Sequence, residues 1–186
     1  MIKQGTRDML PELFKSEDRL RILRYVAERE NVTVQTVAAA TRVSKPVVSR
    51  YLHLLTERGL CERTGRILSW VPSPVGSAIK RLLNIVLLDS HLPSAVWTEG
   101  IGIYGSFARG TNTAGSDVDI WILVAQYSKE IEFQIAELRH TLSHALGYDV
   151  HILLLTREKL QDLSRKDAPF YDEFMRDQLV IRGASI

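Results

Sequence analysis

The sequence predicts a two-domain α+β protein. A small helical domain closed by a β-hairpin occupies residues 1–90, and an α/β domain with a mixed sheet occupies residues 91–186. Two textures carry this prediction. The first half has apolar residues at helical spacing between helix-capping residues, and the second has apolar strands alternating with a glycine-rich loop and one long helix. A third observation separates them. Pro72 and Pro74 interrupt the pattern, and the following VGSAIKRLLNIVLLDSHL is apolar at helical spacing and long enough to connect two domains.

Ser16 is placed to cap a helix running to about Glu30, with Leu20, Leu23, Tyr25, Val26 and Ala27 on its apolar face. Thr33 caps a second, short helix, VQTVAAAT. A third begins at Ser44 and continues through KPVVSRYLHLLTERG, with Pro46 in its first turn and Gly59 at its end. Leu60 to Arg63 and Ile67 to Val71 are β-formers flanking a Thr64-Gly65 turn, which predicts a hairpin. Cys61 reads as a half-buried strand residue. As the single cysteine it has no disulfide partner within the chain and no second thiolate for a zinc site.

From Gly100 the elements are a strand GIGIY, a Gly- and Ser-rich loop, a strand VDIWILVA, a helix from about Ser128 to Leu146, and a strand DVHILLL. The chain is 45% apolar with a formal charge of +2, which suits a globular protein. Its longest apolar runs, NIVLL and WILVA, are too short to span a bilayer, and the start MIKQGTRDMLPELF lacks a basic-then-apolar signal. A cytoplasmic address without a membrane partner is the expectation. The small net charge conceals an asymmetry. Residues 1–80 carry 14 Lys and Arg against 8 Asp and Glu, whereas residues 81–186 carry 10 against 14. A basic first half suits a polyanion, and an acidic second half concentrates carboxylates for another purpose.

The chemistry gathers in Tyr104-Gly105-Ser106-Phe107-Ala108-Arg109-Gly110, followed after Thr111 to Ser116 by Asp117-Val118-Asp119-Ile120. Two aspartates separated by one residue on a strand face the same side, about 7 Å apart along the chain. Both can reach one hard cation. Magnesium favours a few carboxylate oxygens plus substrate phosphate oxygens, so such a pair fits nucleotide chemistry. Gly105 lets backbone approach a phosphate, and Ser106 adds a hydroxyl at the start of a short helix whose free amides attract anions. Arg109 is a planar, permanently charged donor suited to phosphate or to solvent.

These residues resemble the polymerase-beta-like nucleotidyltransferases, whose signature is Gly-Ser, about ten residues, and then Asp-x-Asp on a strand. GSFARG followed by SDVDI is similar to the minimal nucleotidyltransferases of bacteria and archaea, over about residues 96 to 183, including PFYDEFMRDQLVIRG as a final helix and strand. The resemblance implies a nucleotide site at Gly105, Ser106, Arg109 and Ser116. It also implies Mg²⁺ (or Mn²⁺) on the catalytic pair Asp117 and Asp119, and ATP as the source of a transferred AMP. Members of the family add a third carboxylate from a later strand. Here that strand is Tyr148 to Leu155, on which Asp149 and His151 share a face. The family's pattern falls most naturally on His151, and either residue remains a candidate for the third catalytic position.

Residues 16–71 resemble winged helix-turn-helix domains, in which the third helix enters the major groove by its N-terminus. That places Ser44, Lys45, Val48, Ser49 and Arg50 against bases or phosphates of double-stranded DNA, with Arg63 and Arg66 of the hairpin reaching the backbone or minor groove. Val47, Tyr51, Leu52, Leu54 and Leu55 read as core. The resemblance also suggests a homodimer.

Other signals are weaker. His140 and His144 are four apart on a helix but lack a third zinc ligand. Trp70, Trp97 and Trp121 are scattered, and Trp121 is expected on the face away from Asp119. Together the expectations describe a transferase that moves a nucleoside monophosphate to a hydroxyl acceptor, on a small molecule, an RNA end or a protein. The minimal transferases include antitoxins that modify a toxin partner, which a DNA-binding domain would complement. The alternative is a DNA-binding regulator whose transferase domain senses nucleotide without catalysis.

Overall fold

The computed structural model describes residues 13–92 and 96–186. Most of the N-terminal stretch inspected for a targeting signal lies outside them. The chain divides into two compact units between Ser77 and Ala78.

The first unit holds three helices and a hairpin. Helix α1 (Glu17–Ala27) starts where Ser16 Oγ accepts the Arg19 N–H, and it buries Ile22, Leu23, Val26 and Ala27. Helix α2 (Val34–Thr41) is fixed by a reciprocal capping box between Thr33 and Thr36, and Arg42 ends it in the left-handed region at φ 57°. Helix α3 (Lys45–Glu57) has Pro46 in its first turn and buries Val48, Tyr51, Leu52 and Leu55. Strands β1 (Cys61–Thr64) and β2 (Ile67–Trp70) pair antiparallel, and Val32 bridges to Leu68 to extend the wing.

Three expectations change here. The buried residues of α3 recur at i, i+3, i+4 and i+7 from Val48, so Val48 belongs to the core at 0% exposure and cannot touch DNA. Cys61 is buried rather than half-buried, and burial pushes its thiol up to about 12. Thr64 pairs with Ile67, so the two-residue loop is Gly65-Arg66, with the positive φ at Gly65.

The second unit is built around a four-stranded sheet of order β5-β4-β3-β6. Helix α4 (Pro74–His91) begins at Pro74, before the unit division. Then come β3 (Gly100–Ile103), α5 (Gly105–Arg109), β4 (Val118–Leu123), α6 (Lys129–Leu146) and β5 (Val150–Leu155). Helices α7 (Arg157–Lys166) and α8 (Ala168–Asp177) and strand β6 (Leu179–Gly183) complete it. Only β4 and β5 run parallel; β3 is antiparallel to both β4 and β6, so the sheet is mixed as expected.

Strand alternation sends the two faces into separate cores. Ile101, Ile103, Val118, Ile120 and Ile122 pack with Leu88 of α4 and Leu138 and Leu142 of α6. Trp121, Leu123 and Leu155 pack on the other face with Phe174 of α8 and Leu160 and Leu163 of α7. Trp121 therefore lies on the same face as Asp119, two residues along, contrary to expectation. A Cβ on Gly102 would meet the Trp121 ring at 2.4 Å, so this glycine makes room for the indole. Among the described residues no helix is long and apolar enough to cross a membrane.

Candidate active site

Strand β3 ends at Ile103, and Tyr104 becomes the N-cap of α5 in an extended conformation. Gly105 then turns at φ +65°, a region that favours glycine. A Cβ there would fall 2.6 Å from Asp119 Oδ2, so the start of α5 and the Asp119 carboxylate lie in direct contact. The cross-strand bond from Tyr104 N–H to the Asp119 carbonyl, 3.1 Å, holds them in that register. Ser106 is half-buried in the first turn of α5, and its carbonyl accepts the Thr111 N–H at 3.0 Å.

The parallel register between β4 and β5 places His151 directly beside Asp119. Their Nδ1 and Oδ1 atoms are 3.9 Å apart, close enough for attraction when the imidazole is charged but too far for a hydrogen bond. Asp117 and Asp149 each stand one residue before the paired Val118 and Val150, and both are exposed. The Asp149 carbonyl accepts the Val118 N–H at 2.8 Å, which sets the register at this end of the sheet. Of the two residues considered for the third position, His151 is the one next to Asp119.

Partial burial raises the pKa of Asp119. His151 and Arg109 act to lower it, and the nearby Asp117 acts to raise it. Tyr104 is pushed up to about 12, first by burial and then by the Asp119 charge. Two carboxylates and a low-polarity surrounding make a place that favours a cation. Among the described residues no group of three or more His, Cys, Asp or Glu forms a metal cage. Asp117 and Asp119 could each offer carboxylate oxygens to a hard cation.

Arg109 is in the last turn of α5, where it pairs with Asp177 at 2.7 Å and Glu173 at 3.4 Å, both on α8. The Arg109 guanidinium holds the Asp177 carboxyl below the ordinary aspartate range. Ser116 Oγ accepts the Thr113 N–H at 2.9 Å, and Ser116 N–H donates to the Thr113 carbonyl at 3.1 Å, closing the loop before Asp117. Sequence reasoning missed this α8 clamp. It also missed the edge-on packing of Tyr104 against Phe174, with ring centroids 5.3 Å apart. The aromatic spacing in PFYDEF was the available signal.

In the first unit, Ser44, Lys45, Ser49, Arg50, Arg63 and Arg66 are all exposed, the first four at the N-terminal part of α3 and the last two in the hairpin. Ser44 makes no side-chain cap bond, so its hydroxyl is not engaged by the first turn of α3.

Comparison with known proteins follows these divisions. The family model described as a nucleotidyltransferase domain matches residues 88–173, and the one described as the MarR family matches residues 17–66. No curated protein is detectably related by sequence. Among solved structures, the chain is similar to a toxin–antitoxin complex with AMP-PNP, at 22% identity and a TM-score of 0.37. A second is a tri-AMPylated Shewanella oneidensis HEPN toxin with its MNT antitoxin, at 21% and 0.36. Each similarity covers 56% of this chain and 73% of the other. A third, a mutant of the MntA-HpeT toxin–antitoxin, matches at 23% and 0.37, covering 56% and 74%.

Proposed function

We propose that this chain, which carries a MarR-family winged helix over residues 17–66 and a nucleotidyltransferase domain over residues 88–173, transfers AMP from ATP to a hydroxyl acceptor. The observation that carries this reading is the contact between Gly105 and Asp119, which joins a phosphate-compatible helix start to a carboxylate pair.

The residues divide the work as follows. The amides of Gly105 and Ser106 donate to the triphosphate, with Ser116 in the adjoining loop and Arg109 as a further cationic donor. Asp117 and Asp119 hold Mg²⁺ or Mn²⁺, which when bound neutralises charge developing on the phosphate oxygens. The acceptor oxygen attacks the α-phosphorus, the bond to the β-phosphate bridging oxygen breaks, and pyrophosphate leaves. The acceptor's proton passes to His151, or to Asp149 two residues before it, just ahead of β5. Positioning and electrostatics supply the acceleration. The acceptor we favour is a hydroxyl on a protein partner, following the sequence resemblance to antitoxin-type minimal transferases. On the same reading the winged helix binds double-stranded DNA through α3 and the hairpin, and the protein works in the cytoplasm.

A second reading has one specific observation in its favour: the residue that the β4–β5 register pairs with Asp119 is His151, on the strand from which the resemblance implies a third carboxylate. Imidazole is a poor magnesium ligand, so a nucleotide-sensing regulator would also have this site. One experiment separates the two. Purified protein is incubated with α-labelled ATP, Mg²⁺ and cell extract beside the Asp117→Ala, Asp119→Ala variant. Transferase action labels an acceptor with wild type alone. Nucleotide binding without any label would establish the sensor instead.

A further inference from the structure

Among the described residues four polar or charged side chains are buried, and three of them, Lys80, Asn84 and Asn112, sit together. Lys80 and Asn84 are one turn apart on α4, and Asn112 is in the loop between α5 and β4. Lys80 Nζ donates to the Asn112 carbonyl. Asn84 uses both hydrogens of its Nδ2, donating to the Phe107 carbonyl at 2.9 Å and to Asn112 Oδ1 at 2.9 Å. The same loop is closed by Thr111 N–H to Ser106 at 3.0 Å and by Gly110 N–H to Phe107 at 3.3 Å.

The acceptors in this network are the carbonyls of α5 and of its exit loop. Helix α5 is only five residues long, so fixing Phe107 and Asn112 also fixes Gly105 and Ser106 at its other end. An apolar helix–loop contact would bury the same area without desolvating an ammonium and two amides, so stability alone does not explain the choice. What directional bonds add is a defined geometry.

We propose that Lys80 and Asn84 are positioning residues for the nucleotide, holding α5 so that its first amides stay aligned with Asp117 and Asp119. This rests on the nucleotide-site reading above. Neither side chain needs to touch the substrate; both act through α5.

The test uses the full chain, titrated calorimetrically with the analogue α,β-methylene-ATP, whose α–β bridge cannot be cleaved, and Mg²⁺, with thermal midpoints recorded in parallel. Asn84→Leu and Lys80→Met are compared with Leu83→Ala, which truncates a buried side chain on the same helix outside the network. The expected result is analogue binding about tenfold weaker or worse for the first two, with Leu83→Ala binding as wild type despite a lower midpoint. Should Lys80→Met not fold, Lys80→Gln keeps a shorter donor and is expected to bind with intermediate affinity. Wild-type affinity in the network variants, or equal weakening in Leu83→Ala, overturns the positioning role. A folded wild type that binds no analogue removes the nucleotide site itself, and with it this inference.

Discussion

The Oδ2 atom of Asp119 lies 2.6 Å from the point where a Cβ on Gly105 would be. No larger residue fits there without moving the carboxylate, and the φ of +65° disfavours a side chain independently. Gly105→Ala is therefore expected to cost about 1–2 kcal/mol from the backbone alone and to abolish nucleotide binding by displacing Asp119. Thermal unfolding and calorimetric titration of the variant measure both effects. A stable variant with unchanged affinity would remove this contact from the site.

Asp119 also predicts a pH dependence. Burial raises its pKa in the folded state, so its contribution to stability is full below the unfolded value and is lost as pH rises through the folded value. At neutral pH the ionised form is thus a burden that a bound cation relieves. Asp119→Asn is expected to raise the thermal midpoint by about 1–4 °C at pH 7, to lose that advantage in acid, and to abolish metal-dependent nucleotide binding. Midpoints recorded against pH, with and without Mg²⁺, test the sign.

Arg109 supplies a contrast. Its bond holds the Asp177 carboxyl low, so that pair stabilises above the unfolded aspartate value and weakens as pH falls through the folded one. Arg109 is exposed and Asp177 half-buried, and Asp177→Asn should cost about 1 kcal/mol. If Arg109 reaches phosphate as proposed, Arg109→Ala lowers analogue affinity whereas Asp177→Asn does not, because the guanidinium is then held to α8 only by the longer contact with Glu173. Equal affinity in the two variants would confine Arg109 to the α8 clamp.

In the winged helix, exposed and buried residues of α3 should behave differently. Lys45→Ala and Arg50→Ala are expected to weaken DNA binding at all sequences and to reduce the salt slope by about 1 each. Val48→Ala should instead cost about 1–3 kcal/mol of stability, with DNA affinity unchanged in the folded fraction. Fluorescence anisotropy on genomic fragments across a salt series distinguishes these outcomes. Loss of binding in Val48→Ala at full stability would return that residue to the interface.

The legible parts of the protein were those written in short stretches of chain. Ser16 and Thr33 announce helix starts because a capping hydroxyl acts within three residues, and both accept the expected amide. Alternation alone set Asp119 on the face of β4 opposite the buried Val118 and Ile120. Mistakes arose where phase mattered. Val48 was sent to the DNA face because one residue of helical rotation, about 100°, separates core from groove. Trp121 was sent to the wrong side although two residues along a strand restore the same face.

By itself the sequence determined the two textures, the elements of the first unit and the Gly105-Ser106 to Asp117-Asp119 spacing, because caps, turns and periodicity are local interactions, whereas helix α7 (Arg157–Lys166) was not expected. Only the tertiary structure decided that His151 stands beside Asp119, since the β4–β5 parallel register is set across a helix of 18 residues. The same holds for the hold of α8 on Arg109 and of Lys80 and Asn84 on the α5 loop. Those bonds join residues 23 to 68 positions apart, and no local rule specifies which distant donor will meet a given acceptor.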